Sequence, residues 1–203
     1  ASGVVSFNHP DESLELRLHG CGKPFSGMDA KIIDPETGED LPNGERGEIL
    51  LRGYALFDGY YKSPEKNAEA FIDGWFRTGD LCSMDEESHI SFHGRIKDML
   101  KVGGENVAAI EIESMLANHP SVKLAQVIGV PDDRLIEVAA AFIELNPGTT
   151  ATEEEVIEFC KGKIASFKIP RYVRFVSEWP MSSTKVQKFR LLENFQAEGD
   201  AVT

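Results

Sequence analysis

The 203-residue sequence has little cysteine: Cys21, Cys82 and Cys160 stand far apart, at spacings that fit neither a zinc site nor a disulfide framework. Three unpaired thiols favour a reducing compartment, and a cytoplasmic location is the expectation. Long apolar runs are missing too. The best, Val138 to Ile143, falls far short of the roughly 20 residues that a membrane span needs, so no span is expected. Ala1-Ser2-Gly3-Val4 offers no basic segment followed by an apolar block, and no signal peptide is expected there. Basic residues are scarce, 21 against 34 acidic, and a net charge of −13 argues against nucleic acid as a partner. Neither Gly-x-x-x-x-Gly-Lys-Ser/Thr nor Gly-x-Gly-x-x-Gly occurs, so the sequence brings no phosphate cradle of its own.

What is present reads as globular. The chain is 41% apolar and 27% charged, and its 18 glycines and 10 prolines are close to average usage. A chain of this size buries about 70% of its unfolded surface and needs no staple. The charge is uneven: residues 1–94 carry a net −10, residues 95–203 a net −3. Within the second part, Lys161 to Arg190 holds eight basic side chains against the single acid Glu178. That local excess suits either a phosphorylated ligand or a solvated face.

The first half alternates short strands with turns. Lys31–Ile33 and Glu48–Arg52 are strand candidates, separated by the turns Asp34-Pro35-Glu36-Thr37-Gly38 and Pro42-Asn43-Gly44. Ser63-Pro64-Glu65 reads as a helix start, running to about Phe71. A hairpin follows, with strands near Trp75–Met84 and His89–Phe92. The second half changes character at Gly94. A strand at Met99–Val102 leads through Gly103-Gly104 to a helix from about Ala108 to Asn118, stopped by His119-Pro120. Leu124–Val130 and Val138–Leu145 read as buried strands around the turn Pro131-Asp132-Asp133. Thr152 and Glu155 form a capping box that opens a helix to about Lys163, and Arg171–Val176 and Phe189–Ala197 complete the pattern as strand and helix. The fold class expected is α+β. Residues 1–94 are the β-rich end of a larger domain with a distorted barrel, 95–98 a hinge, and 99–203 a small mobile α+β domain.

Several features carry possible chemistry. Asp80 follows Gly79 at a strand end, where a carboxylate can accept two hydrogen bonds from a ribose diol; a plain turn is the alternative. Gly94 to Lys101 concentrates charge at the proposed boundary, as a solvated linker also would. Gly103-Gly104 lets backbone lie against a thin ligand or makes a tight turn. Pro180 to Lys188 is a polar loop in which a lysine can swing in to neutralise phosphate or carboxylate, or simply stay in solvent. His89 and His93, four apart, fall on one face of a strand but lack partners at ligand spacing, so no metal site is expected.

Taken in order, Gly59-Tyr60-Tyr61, Gly74-Trp75-Phe76-Arg77-Thr78-Gly79-Asp80-Leu81, Gly94-Arg95-Ile96-Lys97-Asp98, Gly103-Gly104-Glu105-Asn106-Val107 through Glu111-Ile112-Glu113, and the loop ending at Lys185 resemble the adenylate-forming (AMP-binding) superfamily. Within it they look more like the acyl-CoA synthetases, from about Gly22 to Leu192, and the resemblance implies the C-terminal portion of a longer enzyme. By this resemblance Asp80 holds the adenylate ribose hydroxyls and Arg95 contacts the same ribose. Lys97 is the hinge, and Lys185 bridges ATP phosphate and substrate carboxylate. Gly103 and Gly104 line the pantetheine tunnel after domain rotation. Lys101 resembles a lysine that serves the second half-reaction in the luciferase branch. The last loop departs from the family pattern, since Thr184 stands where glycine is usual and the span from Pro180 is shorter, which leaves Lys188 as a fallback cation.

The activity implied is an AMP-forming acid–CoA ligase using ATP, Mg2+ held mainly by upstream residues, CoA and a carboxylic acid. Lys168 and Arg171 are the candidates for the CoA phosphates. An adenylation domain loading a carrier protein, or a noncatalytic nucleotide- or CoA-binding module, is the alternative. With no phosphate loop, these 203 residues alone are expected to be inactive in adenylation.

Overall fold

The computed structural model describes residues 4–200, with side chains through 197. The chain divides into two compact units, Ala1–Lys97 and Asp98–Thr203. A 3-10 turn at Ile96–Asp98 carries the chain from one into the other.

The first unit contains β1 (Ser6–Phe7), α1 (Leu14–His19), β2 (Lys23–Pro24), β3 (Met28–Ile33), β4 (Gly47–Gly53), α2 (Pro64–Ala70), β5 (Phe71–Ile72), β6 (Trp75–Met84) and β7 (Ile90–Arg95). Strands β1 and β2 pair by themselves. The remaining five form an antiparallel sheet in the order β3-β4-β6, with β5 and β7 sharing the far edge of the long β6. The expected distorted barrel is therefore an open sheet among the described residues. Strand β3 pairs only with β4, and β5 and β7 only with β6, so no ladder joins the two edges. Its core is Ile32, Ile49, Leu51, Cys82 and Ile90, alternating residues that share one face.

The second unit runs β8 (Met99–Val102), β9 (Glu105–Ala108), α3 (Ala109–Ala117), β10 (Val122–Asp132), β11 (Ile136–Leu145), α4 (Glu153–Cys160), β12 (Tyr172–Phe175) and α5 (Lys188–Asp200). Strand β11 is its spine: β10 pairs along one side, and β8 and parallel β12 along the other. The apolar run in β11 lacks alternation because both of its faces are buried. Ala139, Ala141 and Ile143 pack toward Ile112 and Leu116 of α3 and Val156 of α4. Val138, Ala140 and Phe142 pack toward Leu191 of α5.

Two boundaries differ from the sequence reading for clear reasons. Strand β10 continues through Pro131 because it is the sheet's edge strand, where a missing N–H costs no ladder bond. Residues 105–108, read as the approach to a helix, instead form β9 and pair back on β8. The capping box of α4 is complete: Glu155 N–H donates to Thr152 Oγ1 at 3.2 Å, and Thr152 N–H donates to Glu155 Oε2 at 2.8 Å.

Candidate active site

Strand β6 carries Arg77-Thr78-Gly79-Asp80. Across the β4–β6 ladder Leu50 pairs with Arg77 and Glu48 with Leu81, so Thr78, Gly79 and Asp80 all stand opposite Ile49. This bulge turns on Gly79, whose φ of +70° is open to glycine at little cost. It is pinned from beneath by Glu48, only 2% exposed. Glu48 Oε2 accepts from Arg77 Nε at 2.9 Å and from Arg77 Nη2, while Oε1 accepts the Gly79 N–H at 3.0 Å. Thr78 Oγ1 donates to the Ile49 carbonyl at 2.8 Å and accepts the Asp80 N–H at 3.0 Å.

Asp80 then faces Arg95 across the β6–β7 ladder, with Arg95 Nε 3.0 Å from Asp80 Oδ1. Arg95 Nη2 also donates to the Thr78 carbonyl at 3.3 Å. The pair is part-exposed, so a carboxylate and a guanidinium are presented together. That combination suits a hydroxyl-bearing ligand that also carries negative charge. Asp80 and Arg95, two of the candidates from sequence, are brought together here, whereas sequence reasoning missed Glu48, whose one visible signal was an acid opening an apolar strand.

Nearby ionisable groups have other roles. Burial, then the Asp80 charge and Cys21, pushes the Cys82 thiol up to about 12. Burial, and then Arg46, holds His93 below the usual imidazole range, and its Nε2 lies 2.8 Å from Ser83 Oγ. His89 precedes β7, where it bridges Asp85 at 2.9 Å and Glu12 at 3.4 Å. His93 is the extra residue of a register shift in β7, so the two histidines do not continue one strand face. Lys97 is exposed in the 3-10 turn.

In the second unit, Gly103 and Gly104 form the two-residue tip of the β8–β9 hairpin, with φ of +60° and +92°. A turn of this type needs positive φ at both positions. Gly103 N–H donates to the Leu135 carbonyl at 2.8 Å, and the space beside Gly104 is open. Lys101 is exposed on β8, its N–H held by Glu137 Oε2 at 2.7 Å.

The basic segment is taken apart by the fold. Lys161 pairs with Glu158, Arg174 with Glu153, Lys168 with Glu111 at 2.6 Å, and Arg171 with Asp132 at 3.0 Å. Lys163 stacks over Phe159 at 3.2 Å. Lys188 Nζ lies 2.6 Å from Glu113 Oε1. Lys185 and Arg190 differ: each side chain is exposed and makes no hydrogen bond or ion pair among the described residues, Arg190 only lying over Phe189. The Lys185 backbone is fixed in a small turn, closed by the Met181–Val186 bridge and by Ser182 N–H donating to the Lys185 carbonyl at 2.8 Å.

No group of three or more His, Cys, Asp or Glu side chains that could hold a metal ion occurs among the described residues. No helix of the described residues is long and apolar enough to cross a membrane.

Comparison with known proteins adds family context. A family model described as AMP-binding enzyme C-terminal domain matches residues 111–186, and one described as AMP-binding enzyme matches residues 1–61. Medium-chain acyl-CoA ligase ACSF2, mitochondrial, of Rattus norvegicus is 44% identical over 197 residues, covering 96% of this chain and 32% of that protein. ATP-bound MatB from Rhodopseudomonas palustris superposes with a TM-score of 0.82 at 37% identity, over 94% of this chain and 38% of the other. The o-succinylbenzoate CoA synthetase MenE from Bacillus subtilis, in complex with the acyl-adenylate intermediate OSB-AMP, gives 0.84 at 30% identity, over 92% and 38%. The chain spans about a third of the length of the curated relatives it matches.

Proposed function

The chain belongs to the AMP-binding, adenylate-forming enzyme family on its acyl-CoA synthetase side, and on that premise we propose that it is part of an AMP-forming acid–CoA ligase. A carboxylate oxygen attacks the α-phosphorus of ATP, the bond to the bridging oxygen breaks, and pyrophosphate leaves. The CoA sulfur then attacks the acyl carbon, forming the thioester and releasing AMP. Asp80 accepts from the ribose hydroxyls and Arg95 contacts the same sugar. Lys185 offsets the charge that builds up during adenylation. A turn of the second unit about Lys97 withdraws Lys185 and brings up Gly103-Gly104 for thiolysis, so one site performs two reactions.

The observation that carries this reading is the Asp80–Arg95 pair, presented on a bulge that Glu48 holds in place. Lys185 supports it as an exposed cation on a braced turn. Lys168 and Arg171 remain the candidates for CoA phosphates, exchanging Glu111 and Asp132 for the ligand. Magnesium would be held mainly by residues outside this chain. The proposed compartment is the cytoplasm; a tagged protein found in mitochondria would count against it.

The test is Lys185→Ala in the complete protein carrying this chain. Adenylation, read as pyrophosphate–ATP exchange, should fall by roughly 10²–10³ or more. Thioester formation from supplied acyl-adenylate should persist, and equal loss of both steps overturns the division of labour. Transfer to a carrier protein in preference to free CoA favours the peptide-synthetase reading. Exchange by these 203 residues alone would contradict the expectation that they are inactive in adenylation.

A further inference from the structure

We infer that Glu48 is a positioning residue for nucleotide, setting the reach of Asp80 and Arg95 from beneath the sheet. The inference rests on the reading of those two residues as the ribose grip. Glu48 is one of two buried polar or charged side chains among the described residues. Burying a carboxylate is costly unless its acceptors are filled, and here each oxygen has a partner. Arg77 fills one oxygen and neutralises the charge. The other is spent on the N–H of Gly79, the left-handed residue on which the bulge turns.

From that bond the geometry propagates in two directions. Thr78 Oγ1 accepts the N–H of Asp80, fixing where the Asp80 side chain departs. The Thr78 carbonyl accepts from Arg95 Nη2, fixing the guanidinium. Both members of the grip are thus referenced to Thr78-Gly79, and Thr78-Gly79 to Glu48. A residue that merely held the sheet together would need the Arg77 pair but not an acceptor for Gly79.

Two double variants of the complete protein separate these roles. E48Q/R77M keeps an amide oxygen for the Gly79 N–H and turns the amide nitrogen toward Met. E48L/R77M fills the same space with apolar groups and leaves Gly79 N–H without its acceptor. Replacing both charged partners avoids leaving one buried charge alone, so both variants are expected to fold. The expected result is an ATP KM and an AMP Kd roughly 10–100-fold higher in E48L/R77M than in E48Q/R77M, with KM for acid and for CoA within about 2-fold. Equal ATP KM values in the two variants overturn the inference, as does a parallel rise in all three KM values with a matching fall in melting temperature. D80A separates this from the underlying reading: an unchanged ATP KM there overturns the assignment of Asp80 itself. A raised ATP KM in D80A with equal double variants overturns only the role of Glu48. Should E48L/R77M not fold, E48A/R77M removes the Gly79 acceptor without the added bulk, and an ATP KM equal to that of E48Q/R77M overturns the inference.

Discussion

Lys188 Nζ stands 2.6 Å from Glu113 Oε1 and 3.8 Å from Asp98 Oδ2, so the residue three places after Lys185 ties the root of that loop to helix α3. Glu113 also accepts the Val127 N–H at 2.8 Å, which extends the tie to β10. Lys188 therefore acts as an anchor in this arrangement, while Lys185 is the cation held out. Lys188→Met should destabilise the protein by about 2–4 kcal/mol, because it leaves a mostly buried carboxylate without its cation. Urea unfolding measures this, and a loss within experimental scatter removes the anchor role. Lys185→Ala, by contrast, should leave the unfolding midpoint where it was.

Gly104 offers a test of the thiolysis edge. A methyl group there meets nothing within 4 Å, so Gly104→Ala costs only the strain of φ +92°, about 1–2 kcal/mol. If the hairpin tip lies along the CoA arm, KM for CoA should rise several-fold while pyrophosphate exchange is retained. Gly103→Ala should destabilise more, since its added carbon meets Leu135 Cδ2 at 3.3 Å.

The three thiols should react in a fixed order. Cys21 is exposed, whereas Cys82 and Cys160 are buried. Burial drives the Cys82 thiol up to about 12 from an ordinary 9.0, so its nucleophilic thiolate is strongly depleted near neutral pH. A disulfide reagent at mild alkaline pH should titrate one thiol quickly and the other two only on unfolding. The same shift predicts alkaline sensitivity. The unfolded chain releases the Cys82 proton first, so stability falls as pH rises from about 9 toward about 12. Cys82→Ala should flatten that part of the profile.

Ile136 has a φ of +71° and is 63% exposed, an unfavourable conformation for a β-branched side chain with little burial to offset it. Ile136→Gly should relieve about 1–2 kcal/mol of strain against about 0.5–1 kcal/mol of added chain entropy. A net gain of up to about 1.5 kcal/mol is expected in denaturant unfolding. A clear loss would mean that the side chain packs on something that matters.

Local chemistry made much of this legible. Thr152 and Glu155 announced the start of α4 because a capping box is closed within four residues. The unbroken apolar run after Ile136 announced a strand buried on both faces. Asp80, Arg95 and Lys185 were singled out only through the resemblance to a known family, since each alone reads equally well as a turn, a linker or an exposed loop. Long-range pairing was not legible. Glu48 at the head of a strand looks like any solvent-facing acid until Arg77 and Gly79 arrive from 29 and 31 residues away. The basic run from Lys161 looked like a patch because its carboxylates, Glu111, Glu113 and Asp132, lie far upstream. Strand β9 escaped because Glu105 and Asn106 are exposed and polar, and only its pairing with β8 makes it a strand.

Among the described residues, each sheet and each apolar cluster closes on one side of the Lys97–Asp98 bond. That bond is consequently a natural seam for recombination. Exchanging everything beyond it for the matching stretch of a related ligase would sever no ladder and open no cluster. On the proposed reading, the grip on nucleotide and the timing of the two half-reactions would then be separately heritable traits, each free to drift without unravelling the other.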